Sequence, residues 1–188
     1  KARYYVNYPM RPYNKVTGLI GLFIILFAII TQAQPKRLAI AAEMERSIQT
    51  ELLNKWYPQS LDTVYGGFLT TFTYDFKPTG AQDKFIVTQA RHTWTASKAA
   101  VHYPDHPEYL LCATHGFNYL SNVMWDSVYG GFYLLTHRNG TVKETESSSK
   151  EAYGNAFAIY ALAAYYQASK DTTKKNLAIR AFHWLEKN

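Results

Sequence analysis

Asp62-Thr-Val-Tyr-Gly-Gly-Phe68 returns almost unchanged as Asp126-Ser-Val-Tyr-Gly-Gly-Phe132, an offset of 126 − 62 = 64 residues. The flanking sequence follows the same spacing. Lys84-Phe-Ile-Val-Thr-Gln-Ala-Arg-His-Thr-Trp94 lies over Lys150-Glu-Ala-Tyr-Gly-Asn-Ala-Phe-Ala-Ile-Tyr160, 150 − 84 = 66 positions on. His115-Gly-Phe-Asn-Tyr-Leu120 lies over Arg180-Ala-Phe-His-Trp-Leu185 at 180 − 115 = 65. A period this long describes a supersecondary unit that buries its apolar face only against neighbouring units. The chain therefore reads as the front part of a larger repeat protein. Gly66-Gly67 and Gly130-Gly131 lack the Lys-Ser/Thr of a phosphate loop. Turns that need positive φ account for them, and Asp62 and Asp126 are expected to accept N–H bonds within those turns.

Around each turn the periodicity is helical. From Lys36 to about Trp56, Leu38, Ala41, Met44, Ile48, Leu52 and Leu53 recur at threes and fours. Pro58 and Asp62 break this pattern, and a strand-like excursion runs to Tyr74, closed by Lys77-Pro-Thr-Gly80. A helix is expected over about 82–101. The next unit repeats the order: a helix over 107–124, a hairpin around Asn139-Gly140, and a helix over 149–168. A last helix spans about 173–187. Ala152, Ala156, Ala158, Ala161, Ala163 and Ala164 leave the 149–168 helix little polar face, the mark of a buried helix. The expected architecture is all-α, two layers of helix pairs, the first of each pair outside and the second inside, with short β-hairpin excursions, closed into a ring or open as a solenoid.

Met10, Arg11 and Lys15, an apolar run from Val16 to Ile30, and Thr31-Gln-Ala33 read as a signal peptide over residues 10–33. Residues 1–9 read as an upstream mis-start. The run is short for a membrane span, so a retained anchor is the second reading and cleavage before Gln34 the first. Export to a bacterial periplasm or medium is thus expected, with no stable membrane association after cleavage. Residues 34–188, 188 − 33 = 155 in all, fit one domain. The net charge of +6 includes four basic residues before Gln34; the remainder carries 16 − 14 = +2. No Lys/Arg cluster is left to track a phosphate backbone, so a nucleic-acid partner is not expected. Aromatic residues make up 16% of the chain, suited to a ring-rich core or to a groove that stacks on sugars.

Arg91 is the residue most charged with chemical meaning, because it falls mid-way along an inner-type helix where a charge needs an anion or a set of acceptors. With Gln89 on one stripe and Trp94 a turn further, it would offer a fixed cation and a stacking plane to a carbohydrate. A structural ion pair between helices is the equal alternative. Tyr153 and Asn155 hold the corresponding stretch of the next inner helix, Asn155 over Gln89, and both bond hydroxyls. The six histidines show no metal-ligand spacing, and no metal or cofactor is expected. Glu144, Glu146 and Glu151 form no hydrolytic acid pair, and no Gly-x-Ser-x-Gly elbow is present.

Taken together, Gln89-Ala-Arg-His-Thr-Trp94, the Gly-Gly-Phe turns and the stretch from Lys150 to Leu162 resemble the N-acylglucosamine 2-epimerase superfamily, and within it the cellobiose and mannobiose 2-epimerases. The resemblance runs from about Glu43 to the end. It implies a closed (α/α)6 barrel of which residues 34–188 hold roughly the first five helices. It also implies reversible inversion at C2 of a reducing-end sugar, or of an N-acyl sugar, through a cis-enediolate. In that chemistry Arg91 matches the arginine that stabilises the enediolate, and Tyr153 a substrate-contacting tyrosine. Two histidines beyond Asn188 would carry the proton, so these 188 residues alone are expected to be inactive. Alternatives are an aldose-ketose isomerase of the same superfamily, a glycoside hydrolase or lyase on a similar barrel, and a non-catalytic carbohydrate-binding repeat.

Overall fold

The computed structural model describes residues 15–143 and 149–188. The expected mis-start, the first residues of the expected leader, and Glu144 and Glu146 lie outside the described residues. The chain divides into two compact units, residues 1–49 and 50–188.

In the first unit, α1 spans Lys15–Ser47 with Pro35 inside it. The helix expected to begin at Lys36 thus starts earlier. Of the apolar stripe legible in the sequence, Leu38, Met44, Ile48 and Leu52 are exposed and Leu53 alone is buried. No helix among the described residues is long and apolar enough to cross a membrane.

A π-helical turn, Ile48–Leu53, leads into the short α2, Asn54–Trp56. The second unit continues with β1 (Lys84–Phe85), α3 (Ile86–His102) and α4 (Pro107–Tyr119), the last extended by a π-helical turn, Leu120–Met124. Then come β2 (Leu135–Thr136), α5 (Ala152–Ser169) and α6 (Lys175–Leu185). The boundaries have local causes. Pro107 opens α4, where a missing N–H costs nothing. Lys170 at φ +58 ends α5 in the left-handed region, and the Asp171 carboxylate then accepts the Thr173 N–H at 2.9 Å to start the next turn.

The helices form two layers, as the pairing in the sequence required. α3 and α5 lie side by side, α4 packs on α3, and α6 packs on α5. Ala90, Ala96, Ala113, Ala158, Ala161 and Ala181 are fully buried in the contacts, and small side chains there let the helix axes approach. One expectation is corrected: α5 is not buried all round. Gly154, Asn155, Ala158, Ala161 and Leu162 face the core, whereas Ala152, Ala156 and Ala163 are exposed.

The two Asp…Gly-Gly-Phe segments adopt the same turn. Asp62 N donates to Gly67 O at 2.9 Å and Gly66 N to Asp62 O at 2.8 Å; the second copy gives 2.9 Å for Asp126 N to Gly131 O and 3.0 Å for Gly130 N to Asp126 O. Asp62 Oδ1 accepts from Val64 N and Tyr65 N at 3.2 Å each, and Asp126 Oδ1 from Val128 N and Tyr129 N at 2.8 and 3.0 Å. This is the turn-capping role expected for both aspartates. Gly67 and Gly131 have φ of +68 and +76, and an aromatic ring sits against each. A Cβ would come within 2.7 Å of Tyr119 at Gly67 and of Trp184 at Gly131. Those two rings are themselves 184 − 119 = 65 residues apart.

Each turn is also clasped by a lysine. Lys84, buried, reaches Asp62 Oδ2 at 3.0 Å and donates to Gly66 O; Lys150 reaches Asp126 Oδ2 at 2.5 Å and Gly130 O at 2.7 Å. Burial alone would oppose ionisation of Asp62. Hydrogen bonds from Arg138, Lys84 and the Tyr65 amide outweigh it and hold the carboxyl well below the usual carboxylate range. In Asp126 the same contest, with Lys150 as the main donor, leaves the pKa at about 2.

The repeats are stapled to each other by contacts the sequence did not announce. β1 pairs antiparallel with β2, Lys84 opposite Thr136 and Phe85 opposite Leu135. The Asn139-Gly140 hairpin forms as expected, with Thr136 bridged to Val142 and Gly140 at φ +90. From its tip Arg138 Nε donates to Asp62 Oδ2 at 2.9 Å, tying the second excursion to the first turn.

Candidate active site

Within the second unit a cavity of about 620 Å³ opens along one side of α3. Its α3 wall is Val87, Thr88, Arg91, His92 and Thr95. Successive helical residues are rotated by about 100°, so positions 87, 91 and 95 form one row and 88 and 92 the row beside it. Trp56 and Tyr57 close one side, and Tyr153, at the start of α5, contributes another. Two of the sequence-derived site residues, Arg91 and Tyr153, are therefore brought together.

Arg91 is exposed toward this cavity and not buried inside the helix layer as its mid-helix position implied. Among the described residues no carboxylate pairs with it. Tyr153 is 59% exposed, its ring edge-on to Phe157 with centroids 5.0 Å apart. A fixed cation with no carboxylate partner among the described residues, facing a cavity edged by hydroxyls and rings, is suited to hold a polar ligand and to stabilise negative charge that develops on its oxygen.

The other three site residues take different places. Gln89 is fully buried and turned away from the cavity; its Oε1 accepts from Phe68 N at 2.7 Å and its Nε2 donates to Phe68 O at 2.8 Å. It stands two residues before Arg91, some 200° around the helix, so the two cannot share a stripe. Asn155, also fully buried, accepts from Phe132 N at 2.8 Å. The match of Asn155 to Gln89 is thus real, but the shared task is to hold a Gly-Gly-Phe turn. Being one methylene shorter, Asn155 gives its amide N–H to Glu151 O at 2.9 Å instead of to the turn. Trp94 stacks on Tyr160 of α5, centroids 5.2 Å apart and planes 19° off parallel, with its Nε1 buried and without a partner among the described residues. That ring is occupied by the helix–helix contact and does not line the cavity.

His92 is the cavity residue that the sequence reading passed over. Its ring stacks on Phe68 at 4.7 Å, and Tyr57 hydroxyl donates to its carbonyl oxygen at 3.0 Å. Burial, aided by the Arg91 charge, pushes the imidazole pKa down to about 4, so it is neutral at physiological pH. The signal was present in the four-residue spacing from Thr88 and in the adjacency to Arg91. Among the described residues no cluster of His, Cys, Asp and Glu is placed to hold a metal ion.

The model of the N-acylglucosamine 2-epimerase family matches residues 66–188. The chain belongs to that family. It is 31% identical over 144 residues to the cellobiose 2-epimerase of Bacteroides fragilis, covering 77% of this chain and 36% of that one. The match to the cellobiose 2-epimerase of Ruminococcus albus is 31% over 147 residues, 78% of this chain and 36% of the relative. Among solved structures, the cellobiose 2-epimerase of Spirochaeta thermophila superposes with a TM-score of 0.73 at 34% identity, over 81% of this chain and 37% of that one. A D-mannose isomerase shares the fold at 23% identity and a TM-score of 0.68. The chain spans about 36% of the length of the curated relatives it matches. Its paired helices are thus those of an (α/α)6-barrel family member, covering part of the barrel.

Proposed function

We propose that the protein carrying this chain is a sugar 2-epimerase that interconverts C2 epimers at the reducing end of a disaccharide or oligosaccharide of the cellobiose or mannobiose type. An N-acyl sugar is the other substrate class the family name brings into range. The observation that carries the reading is Arg91: a guanidinium with no carboxylate partner among the described residues, facing a cavity together with Tyr153. Removal of the proton next to the aldehyde of a ring-opened sugar moves charge onto the carbonyl oxygen, giving a cis-enediolate. A preorganised cation at that oxygen lowers the barrier in proportion to the charge that develops there. Tyr153 supplies a hydroxyl and a ring face for the sugar. The general acid and base are not assigned to any of the six histidines of these 188 residues.

The test is incubation of the complete protein with cellobiose and with mannobiose in deuterated water, followed by NMR. Deuterium incorporation at C2 together with the C2 epimer supports the reading. Ketose as the sole product would make it an aldose-ketose isomerase, and no exchange with any sugar would sink both.

Export belongs to the same proposal. Residues 10–33 have the charge, apolar run and small-residue ending of a cleaved leader, so the mature enzyme would work outside the cytoplasm, free of the membrane. The near-neutral remainder supports a small-molecule carbohydrate ligand over nucleic acid. N-terminal sequencing of exported protein should begin at Gln34; an uncleaved, membrane-bound product would favour the anchor.

A further inference from the structure

The Tyr57 hydroxyl has one hydrogen, and it goes to the His92 carbonyl oxygen at 3.0 Å. The same hydroxyl oxygen lies 3.3 Å from His92 Nδ1; with the hydroxyl hydrogen committed to the shorter contact, the network assigns the ring hydrogen to Nδ1 at this longer one. A neutral imidazole with its hydrogen on Nδ1 has a bare lone pair on Nε2. Among the described residues that Nε2 has no hydrogen-bond partner. It is not one of the buried unpartnered side-chain nitrogens, which there are those of Trp94 and Trp125. It is therefore accessible to solvent, on a side chain that lines the cavity.

The ring that carries this lone pair is held before any ligand arrives. It is stacked on Phe68, with planes 16° off parallel, and packed beside Trp56 at 5.3 Å. Phe68 is in turn clamped by Gln89 through both backbone groups. A cavity thus presents, from adjacent positions of one helix, a guanidinium that only donates and an imidazole nitrogen that only accepts. A carboxylate or phosphate satisfies the first and has no hydrogen for the second. An oxygen with a hydroxyl on the neighbouring carbon satisfies both.

We propose that His92 is a specificity-determining residue of this cavity, its Nε2 accepting a hydrogen bond from a sugar hydroxyl adjacent to the oxygen held by Arg91. The proposal rests on the reading of the cavity as a sugar site and adds which face of the sugar is checked, and by what. The low basicity of His92, set by burial and the Arg91 charge, keeps it an acceptor and unsuited to be a proton donor.

The complete protein with ¹⁵N-labelled histidine, titrated with cellobiose, mannobiose and their monodeoxy analogues, tests this. The free protein should show His92 as the Nδ1–H tautomer, and a bound sugar should shift its Nε2 resonance. His92→Phe keeps a ring on Phe68 and removes the acceptor. It should raise KM about tenfold with kcat held within a few-fold and the melting temperature retained, the worth of one hydrogen bond. His92→Gln should recover part of the loss, and one monodeoxy analogue should bind wild type and His92→Phe equally. If sugar binds or turns over with no shift at Nε2, or His92→Phe leaves KM unchanged, the proposal is overturned. A shift at Nε2 on binding without C2 exchange would uphold His92 while refuting the epimerase reading. Absence of any sugar binding overturns both.

Discussion

Gln89 grips Phe68 by both backbone groups, its Oε1 accepting from Phe68 N at 2.7 Å and its Nε2 donating to Phe68 O at 2.8 Å. The contact joins an inner helix to the Gly-Gly-Phe turn twenty-one residues earlier, and it is fully buried. Gln89→Ala would strand a buried N–H and a buried carbonyl, and a destabilisation of roughly 2–4 kcal/mol is expected from two such losses. Chemical denaturation of wild type and variant measures it; a loss below about 0.5 kcal/mol, the level of an ordinary surface change, would remove the latch role.

Gly131→Ala combines a strained φ of +76 with a Cβ placed 2.7 Å from the Trp184 ring. Left-handed strain and overpacking each cost about 1–3 kcal/mol. A smaller effect of Gly131→Ala in a Trp184→Ala background, read from a double-mutant cycle, would assign the excess to the ring.

Asp126 titrates at about 2 in the folded chain, below the ordinary carboxylate value of 3.8, because the Lys150 ammonium and turn amides outweigh its burial. A depressed folded pKa contributes stability that is complete above the unfolded value and disappears as pH falls through the folded one. Stability should therefore drop between about pH 4 and pH 2, with Asp62 continuing the loss at lower pH. Asp126→Asn should be less stable at neutral pH and show a flatter acid limb; thermal melts across that range would reveal it, and an unchanged slope would exclude Asp126 as a source.

Arg91→Ala in the complete protein should lower turnover by about 10²–10³-fold, the effect of removing a preorganised donor from a developing oxyanion. Because Arg91 is exposed and has no carboxylate partner among the described residues, the melting temperature should stay within a degree or two. Lost stability with normal turnover would return Arg91 to a structural role.

The repeat was legible because the turn is built by residue identity. An aspartate must cap it, glycines must take positive φ, a lysine must clasp it, and an aromatic ring must cover it. Each requirement leaves a letter at a fixed offset, so Lys84 over Lys150 and Tyr119 over Trp184 could be aligned before their contacts were known. The direction of a side chain leaves no such mark. Gln89 and Arg91 look like a pair in a line of text and lie on opposite sides of α3 once the helix turns. The apolar residues near Arg91 likewise do not tell that Trp94 meets Tyr160 while His92 meets the cavity.

By itself the sequence determined the period, the two-layer helical class and the family, since these depend on local geometry and on spacing along the chain. Only the tertiary structure decided which side of α3 is a wall of the cavity, that Gln89 and Asn155 are latches, and that Arg138 staples the second hairpin to Asp62. Those facts arise from elements far apart in sequence competing for the same faces. The outcome of that competition is set by packing and electrostatics in three dimensions and not by any one residue's neighbours in the chain.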